Sequence, residues 1–482
     1  MREESDFLGK QSLPDDALYG IHARRSVQNF PDHTPFHKEW YQAVGTVKLA
    51  AFRTILNLHA VLKKDLPEAR LPAGMEDVRV FEYLAEAAAE VSSGSYYEHF
   101  IVPAIQGGAG TSVNMNINEI LANSALRKMD LPAGSYQTID PLRHANLFQS
   151  TNDVIPTALK LAVMQMLANL EDTINALRAS IEGKERRHRN DLRLAYTQMQ
   201  EALPSSFGML FGAYSEALAR DWWRVSKCFE RIKVVNLGGG ATGSGLAIPR
   251  YYIMEVVGQL QKLTNMPVTR SENLSDATQN MDAIVEVHAI LKAHAVNLEK
   301  IASDIRLLSS DAGRAKQISI PQKQLGSSIM PGKVNPVIPE FVIASAHKVY
   351  SNDVLITSLC AQGTLDLNPY LPMIGHAVLE SIKLLTAVGK SLKENLIDDL
   401  HVETTAAFEQ MLFSPSVTTA LITYIGYEKA SEIAAYMKQN KCDVYKACAS
   451  LRILTEGQIA TILKPELLLQ LGYSFRDQLP GE

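Results

Sequence analysis

Cysteine is scarce in this chain. Cys228, Cys360, Cys442 and Cys448 are the only four in 482 residues, far apart or at a spacing that matches no zinc pattern. Neither a disulfide framework nor a metal site is suggested, and a reducing cytoplasm is the expected compartment. Tryptophan is scarcer still, at three, and the adjacent Trp222 and Trp223 read as packing or subunit contact rather than as a platform for stacked bases. Positive charge is not in excess: 47 Lys and Arg against 52 Asp and Glu leave a formal net charge of -5. The densest basic run, residues 184–189, reads as a solvated helix face, so no nucleic-acid partner is implied. The opening MREESDFLGK lacks the apolar stretch of a secretory signal, and no membrane partner is expected. Neither GxGxxG nor GxxxxGK[ST] occurs in a strand-turn-helix setting, which argues against a nucleotide site.

What is present is a large, ordinary globular composition, 46% hydrophobic and 21% charged. The length makes two or three domains the starting expectation. Ile284, Leu291, Leu298 and Ile305 repeat every seven residues, and Val287, His294, Ile301 and Leu308 form a second seam offset by three. This a/d stripe predicts a helix over 280–310, roughly 45 Å long, and hence a bundle of long helices. Leu170, Ile174, Leu177 and Ile181 mark a second amphipathic helix. Glycine- and proline-rich punctuation falls at 107–110, 238–245 and 326–336, each followed by a helical pattern. Backbone amides at such junctions are candidate anion sites. From His401 onward short helical patterns suggest a small end domain. The expected class is mostly α, with minor β at the amino-terminal end.

The segment GSSIMPGKVNP, residues 326–336, carries the most information, because paired serines, a Pro-Gly turn, a lysine and an asparagine rarely recur together by chance. It resembles the signature of the aspartase/fumarase superfamily. The resemblance covers nearly the whole chain: ESDFLGKQSLPDDALYGIHARRSVQNF at the start, with Arg25 and Asn29 in place, GGAGTSVNMNINEILAN from Gly107, QSTNDVIPT from Gln149, YTQMQEALP from Tyr196, GGGATGSGL from Gly238, then DLNPYLPMIGHAVLESIKLL and the IGYE segment. It implies a three-domain fumarase/aspartase-like fold with a central long-helix bundle forming a tetrameric core. The divisions expected are an amino-terminal lyase domain over 1–139, the bundle over 140–400 and a small helical domain over 401–482. In the family the blocks meet at each corner of a homotetramer, three subunits contributing one block each. No cofactor or metal is implied.

A small dicarboxylate is suitably bound by neutral donors, which Ser, Thr, Asn and Gln supply. Removing a proton next to a carboxylate builds negative charge there, and stabilising that charge is the main catalytic problem. By resemblance Ser327 is the base and Lys333 the supporting cation. A serine base needs pre-arranged loop amides to hold its alkoxide. The same carry-over gives Thr197, Lys333 and Asn335 to the α-carboxylate, Ser150, Thr151 and Ser328 to the β-carboxylate, and Thr111, Asn152 and Gln198 to the leaving amine. YTQMQEALP is expected to open a helix. Glu340 matches a family acidic residue with a structural role.

Thr151 where fumarases carry Ser, Gln198 where they carry His, and NPVIPE after the lysine lean toward the ammonia-lyase branch, with deamination of L-aspartate to fumarate as the implied reaction. A fumarase-like hydratase, a superfamily lyase acting on another substrate and a homologue without catalysis are the alternatives. The chain departs from the family pattern at Val113, at Ala247, at Ala195-Tyr196 in place of Gly-Arg, at DPLRHAN over 140–146, and at Gln317 in place of a glutamate. His294, on the helix seam, reads as a buried core histidine, and His144 as either structural or catalytic.

Overall fold

The structure, a computed structural model, describes residues 1–312 and 316–474. Helices dominate it, as the periodicity predicts. The Asp282–Leu308 helix stays within two residues of the predicted ends. Its Ile284, Val287, Leu291, Leu298, Ile301 and Ile305 are all 2% exposed or less, each fully buried aliphatic side chain contributing about 2 kcal/mol by removal from water. His294 in the same seam is a core residue, its Nδ1 2.9 Å from the Asp221 carboxylate. The Thr151–Arg187 helix likewise buries Leu170, Ile174, Leu177 and Ile181. One further helical stretch, Leu371–Ile397, is long and apolar enough to cross a membrane by length and composition, with 61% of its most apolar window buried inside the protein.

The chain forms two compact units, each interleaved in sequence. The first comprises Met1–Glu171, Arg224–Lys292 and Lys348–Leu385. It opens with the antiparallel hairpin of β1 (Arg2–Asp6) and β2 (Gly9–Leu13), in register from Arg2 opposite Leu13 to Asp6 opposite Gly9. Its helices Lys38–Asp65, Arg79–Ser93 and Arg250–Thr264 pack together. The Thr111–Lys128 helix is buried on every side from Ser112 to Leu126. Most of its polar residues find partners inside, although the side-chain oxygens of Asn114 and Asn118 have none. Glu119 accepts the backbone N–H groups of Gly20, His22 and Ala23 at 2.8, 2.8 and 3.2 Å, capping the Ile21–Asn29 helix whose own N-cap is a glycine. A Cβ on Gly20 would stand 2.7 Å from Glu119 Oε1, so only glycine admits the carboxylate. Burial pushes Glu119 up to about 7, against the pull of those three donors.

The second unit comprises Asp172–Trp223, Ala293–His347 and Thr386–Glu482. Here β3 (Leu192–Thr197) and β4 (Gln200–Ser206) form an antiparallel hairpin with a bulge between Leu194 and Tyr196. Minor β is therefore not confined to the amino terminus. The expected helix start at Tyr196 is corrected too: the helix begins at Phe207, and Thr197 pairs with Gln200 across a two-residue turn. Gln198 and Met199 take φ of 52° and 64°, the geometry that matches the twist of a hairpin. Leu192 and Leu194 join Met411, Val417, Leu421 and Ile433 in one apolar core with the carboxy-terminal helices. Among the described residues the other strands are short: β5 (Val234–Val235) pairs in parallel with β6 (Thr269–Arg270), and β7 (Ile318–Ser319) pairs antiparallel with β8 (His401–Val402).

Candidate active site

The QSTND block starts a helix by side-chain chemistry. Ser150 Oγ accepts the Asn152 N–H at 3.2 Å, and Asp153 Oδ1 reaches back to the Ser150 N–H at 2.9 Å, a reciprocal arrangement of the capping-box kind. Asp153 Oδ2 collects the Gly238 and Gly240 N–H groups at 3.1 and 3.0 Å. Asn152 Nδ2 donates to Ala241 O at 2.8 Å, and Asn236 Nδ2 returns a bond to Asn152 O at 2.8 Å. One buried carboxylate and two amides thus lock the 149–153 turn to the 236–241 glycine loop. A cavity of about 490 Å³ opens between them, lined by Phe148, Gln149, Ser150, Gly240, Ala241 and Ala247 among others. Thr111 is exposed at its helix start, and its neighbour Gly110 lies against Ile155, one turn into the helix that Thr151 begins.

Behind this turn sits Lys48, fully buried, with Nζ 3.3 Å from Asn146 Oδ1. The same oxygen accepts from Asn114 and Asn118 at 3.0 and 3.1 Å, while Asn146 Nδ2 donates to Gln149 O at 3.1 Å. Burial brings the Lys48 ammonium down to about 7, opposed by the Asp153 charge. Burial raises Asp153 to about 6, opposed by the donors from Ser150, Gly240 and Gly238. Sequence reading singles out neither Lys48 nor Asp153. Asp153 carries a signal, as the acid three residues after Ser150, and Lys48 carries one as a lone charge within the apolar run VGTVKLAAF.

The remaining candidates lie in the second unit. Thr197 and Gln198 sit exposed at the hairpin tip. Ser327, Ser328, Lys333 and Asn335 lie in the 326–336 loop. Its neck is closed by Asn335 Nδ2, which donates to Gly326 O at 2.5 Å, and a Cβ on Gly326 would fall 2.0 Å from Lys333 O. Ser327 Oγ accepts two backbone N–H groups, from Ile329 at 3.2 Å and Met330 at 3.1 Å. Lys333 is exposed. Glu340 stands in the first turn of the Val337–Cys360 helix, 3.8 Å from the Arg306 guanidinium, a surface pair.

Several departures acquire a physical account. Val113 is 0% exposed inside the Thr111–Lys128 helix and belongs to the core. Ala247 lines the cavity with φ 64°, a conformation that asparagine tolerates and alanine rarely takes. His144 Nδ1 accepts the Asp140 N–H at 2.9 Å, closing the 140–144 turn; that is a structural bond, and burial lowers its pKa.

Residues 9–351 match the family model described as Lyase, and residues 417–470 match Fumarase C C-terminus. The chain belongs to the aspartase/fumarase superfamily. It is a carbon-nitrogen lyase. It is 36% identical to an aspartate ammonia-lyase of Bacillus sp over 99% of both chains, and 34% identical to that of Escherichia coli (strain K12) over 98% of this chain and 97% of the relative. Among solved structures, a fumarate lyase:delta crystallin from Brucella melitensis bound to cobalt superposes with TM-score 0.88 at 34% identity, covering 96% of this chain and 98% of that one. A class II fumarase from Schistosoma mansoni gives 0.85 at 26% identity, covering 96% and 98%. The fold is that of the fumarases and aspartases.

Proposed function

We propose that this lyase is an aspartate ammonia-lyase, converting L-aspartate to fumarate and ammonia in a homotetramer whose sites draw on three subunits. The observation that carries the mechanism is the pair of backbone N–H groups aimed at Ser327 Oγ. Such donors stabilise an alkoxide, which a free serine hydroxyl does not yield at neutral pH. Ser327 Oγ then takes a proton from the β-carbon, and the C–H electron pair moves into the β-carboxylate as an enediolate held by Ser150, Thr151 and Ser328. The pair returns to form the Cα–Cβ double bond as the Cα–N bond breaks, and ammonia leaves past Thr111, Asn152 and Gln198. Thr197, Lys333 and Asn335 fix the α-carboxylate throughout.

Aspartate rather than malate is favoured by Thr151 and Gln198 and by the names of the relatives at 34–36% identity. Assembly is favoured by apolar side chains exposed on the long helices, Val296 at 51% and Val354 at 70%. The test is to offer one preparation both aspartate and malate and follow the unsaturated product by absorbance, with the mass in solution measured alongside. Aspartate is expected to react faster, in a tetramer. Faster turnover of malate, turnover of a different amino acid alone, or a monomeric mass at micromolar concentration overturns the reading.

A further inference from the structure

Two of the departures from the family pattern, Tyr196 and Gln317, touch each other. The Tyr196 hydroxyl oxygen accepts Gln410 Nε2 at 2.7 Å and Gln317 Nε2 at 3.2 Å. Gln317 Nε2 also donates to Gln410 Oε1 at 3.0 Å, closing a three-membered ring of side chains. The Gln317 amide has its orientation fixed from the other side, because its Oε1 accepts Arg193 Nε at 3.1 Å. Gln317 is 1% exposed and Arg193 6%, and the Arg193 guanidinium lies 5.5 Å from the Phe207 ring and 5.9 Å from that of Tyr196. A polar network this closely bonded, anchored by the buried Gln317 and Arg193, stiffens the backbone it joins.

The backbone it joins is informative. Tyr196 immediately precedes the exposed Thr197-Gln198 tip of the β3–β4 hairpin. Gln317 immediately precedes β7, with its own N–H on Leu308 O at 3.1 Å and its O accepting from Glu403 N–H at 2.9 Å. The chain then runs from β7 into the loop that carries Ser327. We infer that Tyr196, Gln317 and Gln410 are positioning residues, a charge-neutral clamp that fixes the Thr197-Gln198 turn and the root of the Ser327 loop to one another. The clamp touches no reacting atom. Its activity readout rests on the function proposed above, whereas its structural readout does not.

The test compares Tyr196→Phe, Gln317→Leu and Gln317→Glu in the full-length tetrameric enzyme. Tyr196→Phe keeps the ring and removes the shared oxygen. Gln317→Leu removes the amide. Gln317→Glu keeps an acceptor for Arg193 and an oxygen to which the Tyr196 hydroxyl can donate in reverse. Tyr196→Phe and Gln317→Leu should each lower kcat/KM about tenfold, mostly through KM, as expected when contacts shared by ground and transition states are misplaced. Gln317→Glu should retain most of it. Amide hydrogen exchange should quicken in the 196–200 turn and in the 326–336 loop together in the two damaging variants. A fall in melting temperature with KM unchanged, or faster exchange confined to the hairpin, overturns the clamp. Because exchange needs no substrate, it decides the clamp even if aspartate proves to be the wrong substrate.

Discussion

The 150–153 turn and the 326–336 loop share serine and asparagine but are held in opposite ways. The turn is fastened from beneath: Asp153 is fully buried, takes three backbone N–H groups, and has Lys48 and a cluster of asparagines behind it. The loop holds itself, through the Gly326–Asn335 neck and the Ser327 turn, while Leu325 and Ile329 are 85% and 83% exposed. Segments with few buried contacts open at low free-energy cost, so the loop is the more easily moved of the two. Removal of the buried anchor Asp153 should therefore be read mainly as stability, and removal of Ser327 in the loop mainly as rate.

The largest effect is expected at Asp153. Asp153→Ala leaves three N–H donors without their acceptor and Lys48 without its counter-charge, and should cost about 4 kcal/mol of stability near neutral pH in denaturant unfolding. The sign of its pH dependence follows from burial. The folded pKa is raised from 3.8 to about 6, so the titration-linked part of Asp153's contribution is fully present below 3.8 and is lost as pH rises through 6, leaving the pH-independent part at neutral pH. The deficit of the variant should accordingly shrink between pH 4 and pH 6. A deficit under about 1 kcal/mol, the size of one ordinary hydrogen bond, would mean that the turn is not anchored through this carboxylate.

Next in size is Ser327→Ala. In an exposed loop the loss of one hydroxyl should change stability by no more than about 0.5 kcal/mol. The rate constant should fall roughly 100-fold or more, the scale of a lost general base, with assembly and much of the substrate affinity retained. Single-turnover kinetics beside an unfolding curve separates the two. Near-normal turnover would remove Ser327 from the chemistry, and the structural bond made by His144 leaves that residue a poor substitute.

How much of this is legible in the sequence depends on where the information lies. The seven-residue seam of the Asp282–Leu308 helix is a local pattern, and its buried positions follow from period alone. The β3–β4 hairpin is not legible, because Gln198-Met199 fills a turn for which Asn-Gly is the usual signal. The signature loop can be read as chemistry from its residue types, yet the two amides on Ser327 Oγ belong to backbone geometry that no composition reports. Lys48 and Asp153 are legible only in part. Their burial arises where residues 48, 146, 153 and 240 converge, a tertiary fact that a one-dimensional pattern does not contain.

The smallest effect sharpens the comparison at the edge of the turn's own cavity. Ala247 holds φ 64° there, where a Cβ crowds the following carbonyl at a cost of roughly 1–2 kcal/mol. Asparagine visits this region more readily, since its short polar side chain can bond locally. Ala247→Asn should therefore stabilise the protein by about 0.5–1 kcal/mol, read as a higher denaturant midpoint with an unchanged slope. If the position serves only the backbone of the glycine loop, KM for the substrate should stay as it is. An asparagine that instead changes KM without adding stability would mean that this side chain reaches the substrate. The departure from the family pattern at Ala247 would then concern specificity rather than strain.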